Sequence, residues 1–332
     1  MRLLKFEGDG EFSLIEFIGD KIPPYAILSH TWGADGEEVT FKDLMEGTGK
    51  SKAGYQKIRF CGEQAATDGL EYFWVDTCCI DKSSSAELSE AINSMFRWYH
   101  DADICYVYLS DVSISGSMKN DQFSQWTWEV DFQKSRWFTR GWTLQELIAP
   151  ASVEFFSVEG KRLGDKKSLE RQIQQITGIA AQALQGGPLS QFTINERMTW
   201  AAKRETKREE DMAYSLLGIF DIHMPLIYGE GRKKALVRLH KEIEESLKDK
   251  SPALPPALFS KHADAFKGQE GTAPTSLSHL PILMTQLMTL LGSCHSNEIS
   301  ALPVVSLGLQ SLEKCYLLEV KPQRLLSRGL VV

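Results

Sequence analysis

Several things are missing from this 332-residue chain, and each absence removes a class of protein. No Cys-x-x-Cys pair occurs among its six cysteines, so neither a disulfide framework nor a structural zinc site is expected, and the thiols read as reduced and mostly buried. No long basic run interrupts the sequence, and 44 acids against 37 bases leave a net charge of -7, which excludes a footprint for duplex nucleic acid. The longest apolar stretch, Leu280 to Leu291, is broken by Thr285, Gln286 and Thr289 and is too short to span a bilayer. Met1 to Gly10 has no hydrophobic signal core, so the expected location is the cytoplasm. His30, His100, His223 and His240 lack metal-ligand spacing, no metal or bound cofactor is expected, and no repeat of solenoid length is visible. Gly47-Thr-Gly-Lys-Ser51 resembles a phosphate loop, but Leu44 stands where the first glycine is required, so the cradle of backbone amides cannot form.

What the chain does contain is enough apolar material for a sizeable core: 42% hydrophobic and 10% aromatic residues. That material is unevenly spread. Residues 251–332 hold 11 charged residues in 82, against 70 in the first 250, and seven of the twelve prolines. All eight tryptophans fall between Trp32 and Trp200. The expected division is therefore a folded part over 1–250, with a core over about 20–160 and a helical annex over about 165–250. Residues 251–332 read as a low-charge tail rich in Pro, Ser and Leu, either a linker or a truncated lead-in to another domain.

Strand-length apolar runs occur at Tyr25–Ser29, Tyr72–Asp76, Ile104–Leu109 and Val153–Val158. Helical spacing appears over Gly54–Ala66 and at Leu88, Ile92, Met95, Phe96 and Tyr99, the latter preceded by Ser84-x-x-Glu87 as a capping box. Alternating strands and helices predict an α/β fold with a parallel sheet flanked by helices. The annex should hold helices over Arg197–Phe220 and Arg232–Lys248, the second burying Ala235, Leu236, Leu239, Ile243 and Leu247. Lys203–Arg208, interleaved with Glu205, Glu209, Glu210 and Asp211, reads as a solvated helix laced with ion pairs.

In such a sheet ligands settle beyond the carboxyl ends of the strands, which brings Ser29, His30, Asp76 and Ser110 to one mouth. Turn and cap chemistry explains each of these residues equally well. Trp142 and Glu146 lie four apart, hence on one face of a helix, with Arg136 and Arg140 before it as candidate phosphate partners. The plainer alternative is a core indole and a surface acid.

Four ordered blocks carry a resemblance: Tyr25-Ala-Ile-Leu-Ser-His-Thr-Trp-Gly33, Phe73-Trp-Val-Asp-Thr-Cys-Cys-Ile-Asp-Lys82, Arg140-Gly-Trp-Thr-Leu-Gln-Glu146, and Glu210–Phe220 through Tyr228-Gly-Glu-Gly231. Together, over about residues 1–248, they resemble the HET domain of fungal heterokaryon-incompatibility proteins. The chain looks most like the N-terminal part of those that also carry a NACHT-type nucleotide-binding domain and a WD-repeat propeller. The resemblance implies a role in vegetative incompatibility, as an inducer of programmed cell death when unlike hyphae fuse. Neither the nucleotide loop nor the repeats of the longer architecture occur before Val332.

A more distant resemblance is to TIR domains, whose sheet is flavodoxin-like and whose third helix often reads Trp-Cys-x-x-Glu; here it is Trp142-Thr-Leu-Gln-Glu146. The insertion Val112 to Lys134 has no counterpart there. The likeness implies cleavage of the nicotinamide–ribose bond of NAD, as substrate, with Glu146 as the catalytic carboxylate and Ser29, His30, Asp76, Arg140 and Trp142 around the substrate. A second class stays open: a non-enzymatic module that acts by self-association or by recruiting other death-signalling proteins, through an aromatic patch of Trp126, Trp128 and Trp137.

Overall fold

A computed structural model describes residues 1–8, 11–19, 21–114 and 127–250. The chain divides after Ala253, and the described residues belong to the first unit. Trp126 and the tail 251–332 lie outside them.

The four apolar runs form strands β3 (Tyr25–His30), β4 (Tyr72–Trp74), β5 (Ile104–Tyr108) and β6 (Val153–Phe156), all parallel, in the spatial order β4-β3-β5-β6. Numbered among themselves this is 2-1-3-4, the start of the flavodoxin-like order. All six residues of β3 are buried, as expected of a central strand covered on both faces. The sheet has seven strands among the described residues, and its edges differ from the expected all-parallel sheet. A hairpin of β1 (Arg2–Gly8) and β2 (Glu11–Glu16) adds antiparallel to β4, and β7 (Arg162–Asp165) adds antiparallel to β6. The sheet therefore runs past 20–160 at both ends.

Alternate residues of a strand face opposite ways, and β3 shows what covers each side. His30 meets Lys57 on α2 (Tyr55–Thr67), which joins β3 to β4, whereas its neighbour Ser29 meets Glu146 on α5 (Thr143–Ile148). Beside α5 runs α3 (Ser85–Asp101), pinned to the sheet by Tyr99, whose hydroxyl donates to Leu28 O at 2.9 Å. At its start Ser84 accepts from Glu87 N, but the expected box is half made: the Glu87 carboxylate turns to Asp81 N and Arg2 instead. Two further helices complete this half, α1 (Phe41–Glu46) and α4 (Thr127–Lys134). Gly47 caps α1 in the left-handed region and Lys50 pairs with Glu11, so Gly47–Ser51 is a helix end and a surface ion pair.

The annex is a set of short helices: α6 (Glu170–Thr177), α7 (Ala181–Leu184), α8 (Ile194–Thr199), α9 (Asp211–Tyr214), α10 (Leu217–Phe220) and the long α11 (Arg232–Lys250). The helix expected over Arg197–Phe220 is thus three pieces, and Lys203–Arg208 is loop, not a solvated helix. In α11, Ala235, Leu239 and Ile243 are buried while Leu247 is exposed. Annex residues Tyr214, Leu217, Phe220 and Leu239 share one continuous apolar core with Ile27, Val107 and Phe155 of the sheet. The close fit depends on Gly218, where a Cβ would stand 2.0 Å from that of Phe96 on α3.

Of the expected aromatic patch, Trp126 lies outside the described residues and Trp137 cannot take part. Trp137 is fully buried, and Trp128 packs edge-on against Phe132 at 6.0 Å.

Candidate functional site

A pocket of about 220 Å³ opens at the carboxyl ends of β3 and β4, under α3 and α5 and against the annex. His30, Asp76, Arg140, Trp142 and Glu146 all line it. Three residues considered with them do not. Ser29 is fully buried behind Glu146, Ser110 pairs with Thr31 Oγ1 at 3.3 Å, and Arg136 turns away toward Asp111 at 3.8 Å.

Glu146 sits in the first turn of α5, the piece of the β5–β6 crossover that lies on β3. It is 8% exposed, so the surface-acid alternative fails. A three-residue ladder fixes its direction. Trp137 Nε1 can only donate, and does so to Ser29 Oγ at 2.8 Å; the Ser29 hydroxyl is then committed to Glu146 Oε2, at 2.5 Å. Oε1 has no hydrogen-bond partner among the described residues. Burial pushes the Glu146 carboxyl up to about 8, assisted by the Asp76 charge and opposed by the Ser29 hydrogen bond and the charges of Arg204 and Arg140. Burial thus favours the protonated form of this carboxyl near neutrality.

Asp76 is the opposite case. Burial works against its charge, yet Lys82 and the hydrogen bonds from His30 and Trp32 outweigh it and hold the carboxyl at about 2. His30 Nε2 lies 3.1 Å from Oδ1 and Trp32 Nε1 donates to Oδ2 at 3.0 Å. The histidine tautomer follows from Lys57, whose ammonium can only donate and reaches Nδ1 at 3.2 Å, Thr31 O at 3.0 Å and Glu38. Nδ1 must accept, so Nε2 carries the hydrogen and gives it to Asp76. Above this, Lys82 Nζ lies 3.9 Å from the centre of the Trp32 ring.

The remaining wall comes from the annex and was not among the sequence candidates. The segment Arg204–Arg208 is stitched to the turn before α5: Glu205 N donates to Thr139 O at 2.6 Å and Gly141 N to Glu205 O at 2.8 Å. Only glycine permits this approach, since a Cβ on Gly141 would lie 2.4 Å from Thr206 Cγ2. The stitching turns one cation of the basic run inward. Arg204 is 4% exposed and donates to Trp200 O at 3.2 Å and, through Nη1, to Arg140 O and Thr143 Oγ1, both at 2.8 Å. Burial lowers its guanidinium to about 10, still charged at neutral pH, beneath Glu146.

Asp211 and Tyr228 complete the wall. Trp142 Nε1 donates to Asp211 Oδ2 at 3.3 Å and the Tyr228 hydroxyl to Oδ1 at 2.9 Å. Burial raises the Asp211 carboxyl against those two bonds. Next to it, Glu210 Oε1 accepts from Gly229 N at 2.8 Å and Gly231 N at 2.9 Å, clamping the turn that presents Tyr228. This gives the Glu210–Asp211 and Tyr228–Gly231 blocks a physical reason: they hold an aromatic and acidic wall against the sheet. Only their order along the chain signalled it.

Residues 25–125 match the family model described as "Heterokaryon incompatibility protein (HET)". Over 244 residues, 73% of this chain, the sequence is 62% identical to "Vegetative incompatibility protein HET-E-1" of Podospora anserina, of whose length the chain spans 18%. No solved structure matches. The matched segment contains β3, β4 and β5 with Ser29, His30 and Asp76, and the similarity to HET-E-1 extends well beyond it. The chain carries a heterokaryon incompatibility domain.

Proposed function

We propose that this chain acts in vegetative incompatibility as an inducer of programmed cell death, in the cytoplasm, and that it does so by TIR-like hydrolysis of NAD at the pocket of Glu146. The incompatibility role is carried over from the relative named above. The observation that supports the chemistry is a nearly dry carboxyl, held by Ser29, at the base of a pocket beside an indole and beyond the ends of parallel strands in flavodoxin-like order.

In the proposed reaction the bond between ribose C1′ and the pyridinium nitrogen breaks with its electron pair going to nitrogen. Nicotinamide leaves neutral and positive charge develops on the ribose. Water adds to C1′ and loses a proton, giving ADP-ribose. A carboxylate beside C1′ opposes the developing charge and takes that proton. This requires Glu146 ionised, so kcat/KM for NAD should rise with pH and level off above about 8. Trp142 walls the nicotinamide side, and His30 with Asp76 forms the fixed, ionised side.

The test is release of nicotinamide from NAD by the purified chain, in dilute and in assembled protein. Glu146→Gln keeps an acceptor for Ser29 and should lower the rate by about 10²–10⁴-fold. No release from the parent under either condition would remove the enzymatic reading and leave action through self-association or a recruited death-signalling partner. An equally active, folded Glu146→Gln would move the chemistry elsewhere.

A further inference from the structure

The cations around the pocket divide into those already neutralised and those that are not. Lys82 is 3.8 Å from Asp76, and Lys207 pairs with Asp35. Arg140 and Arg208 also line the pocket, yet among the described residues neither guanidinium has a hydrogen bond or an ion pair. Elsewhere Arg2, Arg59, Arg162 and Arg238 are each matched to a carboxylate. Arg208 instead lies with its guanidinium carbon 4.2 Å from the centre of the Tyr228 ring, an arrangement that holds it over the wall and leaves its N–H edges free. The acids of the pocket form no ion pair with these forks: the oxygens of Asp211 accept from Trp142 and Tyr228, those of Asp76 face His30 and Trp32, and Glu146 holds Ser29, so Arg140 and Arg208 act on Glu146 and Asp211 only through space.

Backbone geometry keeps the two arginines together. Arg140 pairs with Glu205 in a β-bridge, and the hydrogen bonds across Gly141 fix the segment that ends at Arg208. Charge in the pocket is then sorted by depth. Glu146 and Asp211 are buried, while Arg208 and Lys207 are exposed and Arg140 is half-buried. A ligand that matches this must be anionic at its outer end and carry a planar group toward Glu146 and Trp142. Planar guanidinium forks bind phosphate oxygens in pairs.

We infer that Arg140 and Arg208, one from the α5 turn and one from the annex, form a diphosphate clamp, so that the pocket selects nucleoside diphosphates and their conjugates over free nucleosides or bases. The inference rests on the reading of this pocket as the NAD site but uses residues that take no part in bond cleavage.

The test is calorimetric titration of the full chain with inorganic pyrophosphate, ADP-ribose and adenosine. Pyrophosphate and ADP-ribose should bind, each weakening by about tenfold or more in Arg208→Ala and in Arg140→Ala, the loss of one charge-assisted pair. Adenosine binding should be unchanged. Arg208→Lys, which keeps the charge without the fork, should fall between, and added salt should weaken pyrophosphate in the parent. These last two measurements decide the matter if Arg140→Ala does not fold. Failure of pyrophosphate to bind the parent, or equal binding by folded Arg208→Ala, overturns the clamp. If pyrophosphate binds through both arginines while NAD yields no nicotinamide, the cleavage reading fails and the clamp stands. If nicotinamide is released with the same KM in Arg208→Ala, the clamp fails and cleavage stands.

Discussion

The two sides of the pocket use the same kinds of group in opposite states. On the strand side, Asp76 is ionised and fully engaged by His30, Trp32 and Lys82, and His30 is in turn held by Lys57. On the α5 and annex side, Glu146 is pushed toward the neutral form, one of its oxygens is unengaged, and Arg140 and Arg208 make no hydrogen bond or ion pair through their guanidinium groups among the described residues, acting on Glu146 and Asp211 only through space. The first side is electrostatically settled without any ligand. The second is left with charge to satisfy, which is what a binding and reacting surface requires and what a purely structural network avoids.

Removing the unsettled carboxyl should sharpen this contrast most. In the folded chain Glu146 keeps its proton to about pH 8, whereas unfolded it loses it near 4.5. Between those values the folded state binds the extra proton, so parent stability falls as pH rises. Glu146→Gln has no such loss. Its stability relative to the parent should grow from pH 5 to pH 9, by about 3–5 kcal/mol, as read by urea unfolding at both pH values. A pH-independent difference would mean that the Glu146 charge is compensated in the fold as that of Asp76 is, and would erase the comparison.

Ser29→Ala comes next. It strands the Trp137 indole N–H in the core and removes the one hydrogen bond that lowers the Glu146 carboxyl. The expected cost is about 1–3 kcal/mol by denaturant unfolding, together with an upward shift of the pH–rate profile for NAD. A merely structural serine would give the first effect without the second. The smallest effect should come from the settled side: Trp32→Phe removes one donor to Asp76 at a half-exposed position, about 1 kcal/mol or less, because His30 and Lys82 remain. A larger loss there would show that the strand side is as finely balanced as the other.

The sequence patterns revealed the inner sheet because β3 to β6 are apolar runs buried on both faces. The β1–β2 hairpin and β7 escaped for the converse reason. Glu11–Glu16 is exposed at both ends and half-buried between, with no fully buried residue, and Arg162–Asp165 has a single hydrophobic side chain, so neither shows the burial contrast that marks a strand. The same holds within the site. Glu146 and Trp142 could be paired by helical spacing, and His30 and Asp76 by their places at strand ends. Arg204 could not be found this way. Its neighbours alternate in charge as a surface helix would, and what turns it inward is the contact of Glu205 with Gly141, more than sixty positions earlier in the chain. Ser29 was visible as a strand-end polar residue, but its role as the support of Glu146, not a lining residue, is fixed by Trp137, a distance of 108 residues away.

The wall built from Arg208, Asp211 and Tyr228 has a consequence for the order of synthesis. A chain emerging from the ribosome can complete its sheet once Asp165 is out, with every member of the Trp137–Ser29–Glu146 ladder present. At that moment the pocket still lacks a side and stands open to water. It closes only after a further stretch, through Tyr228, has been made and has docked. A product that stops short of Tyr228 therefore carries the ladder without the wall that closes the pocket, so the site is complete only when the annex is.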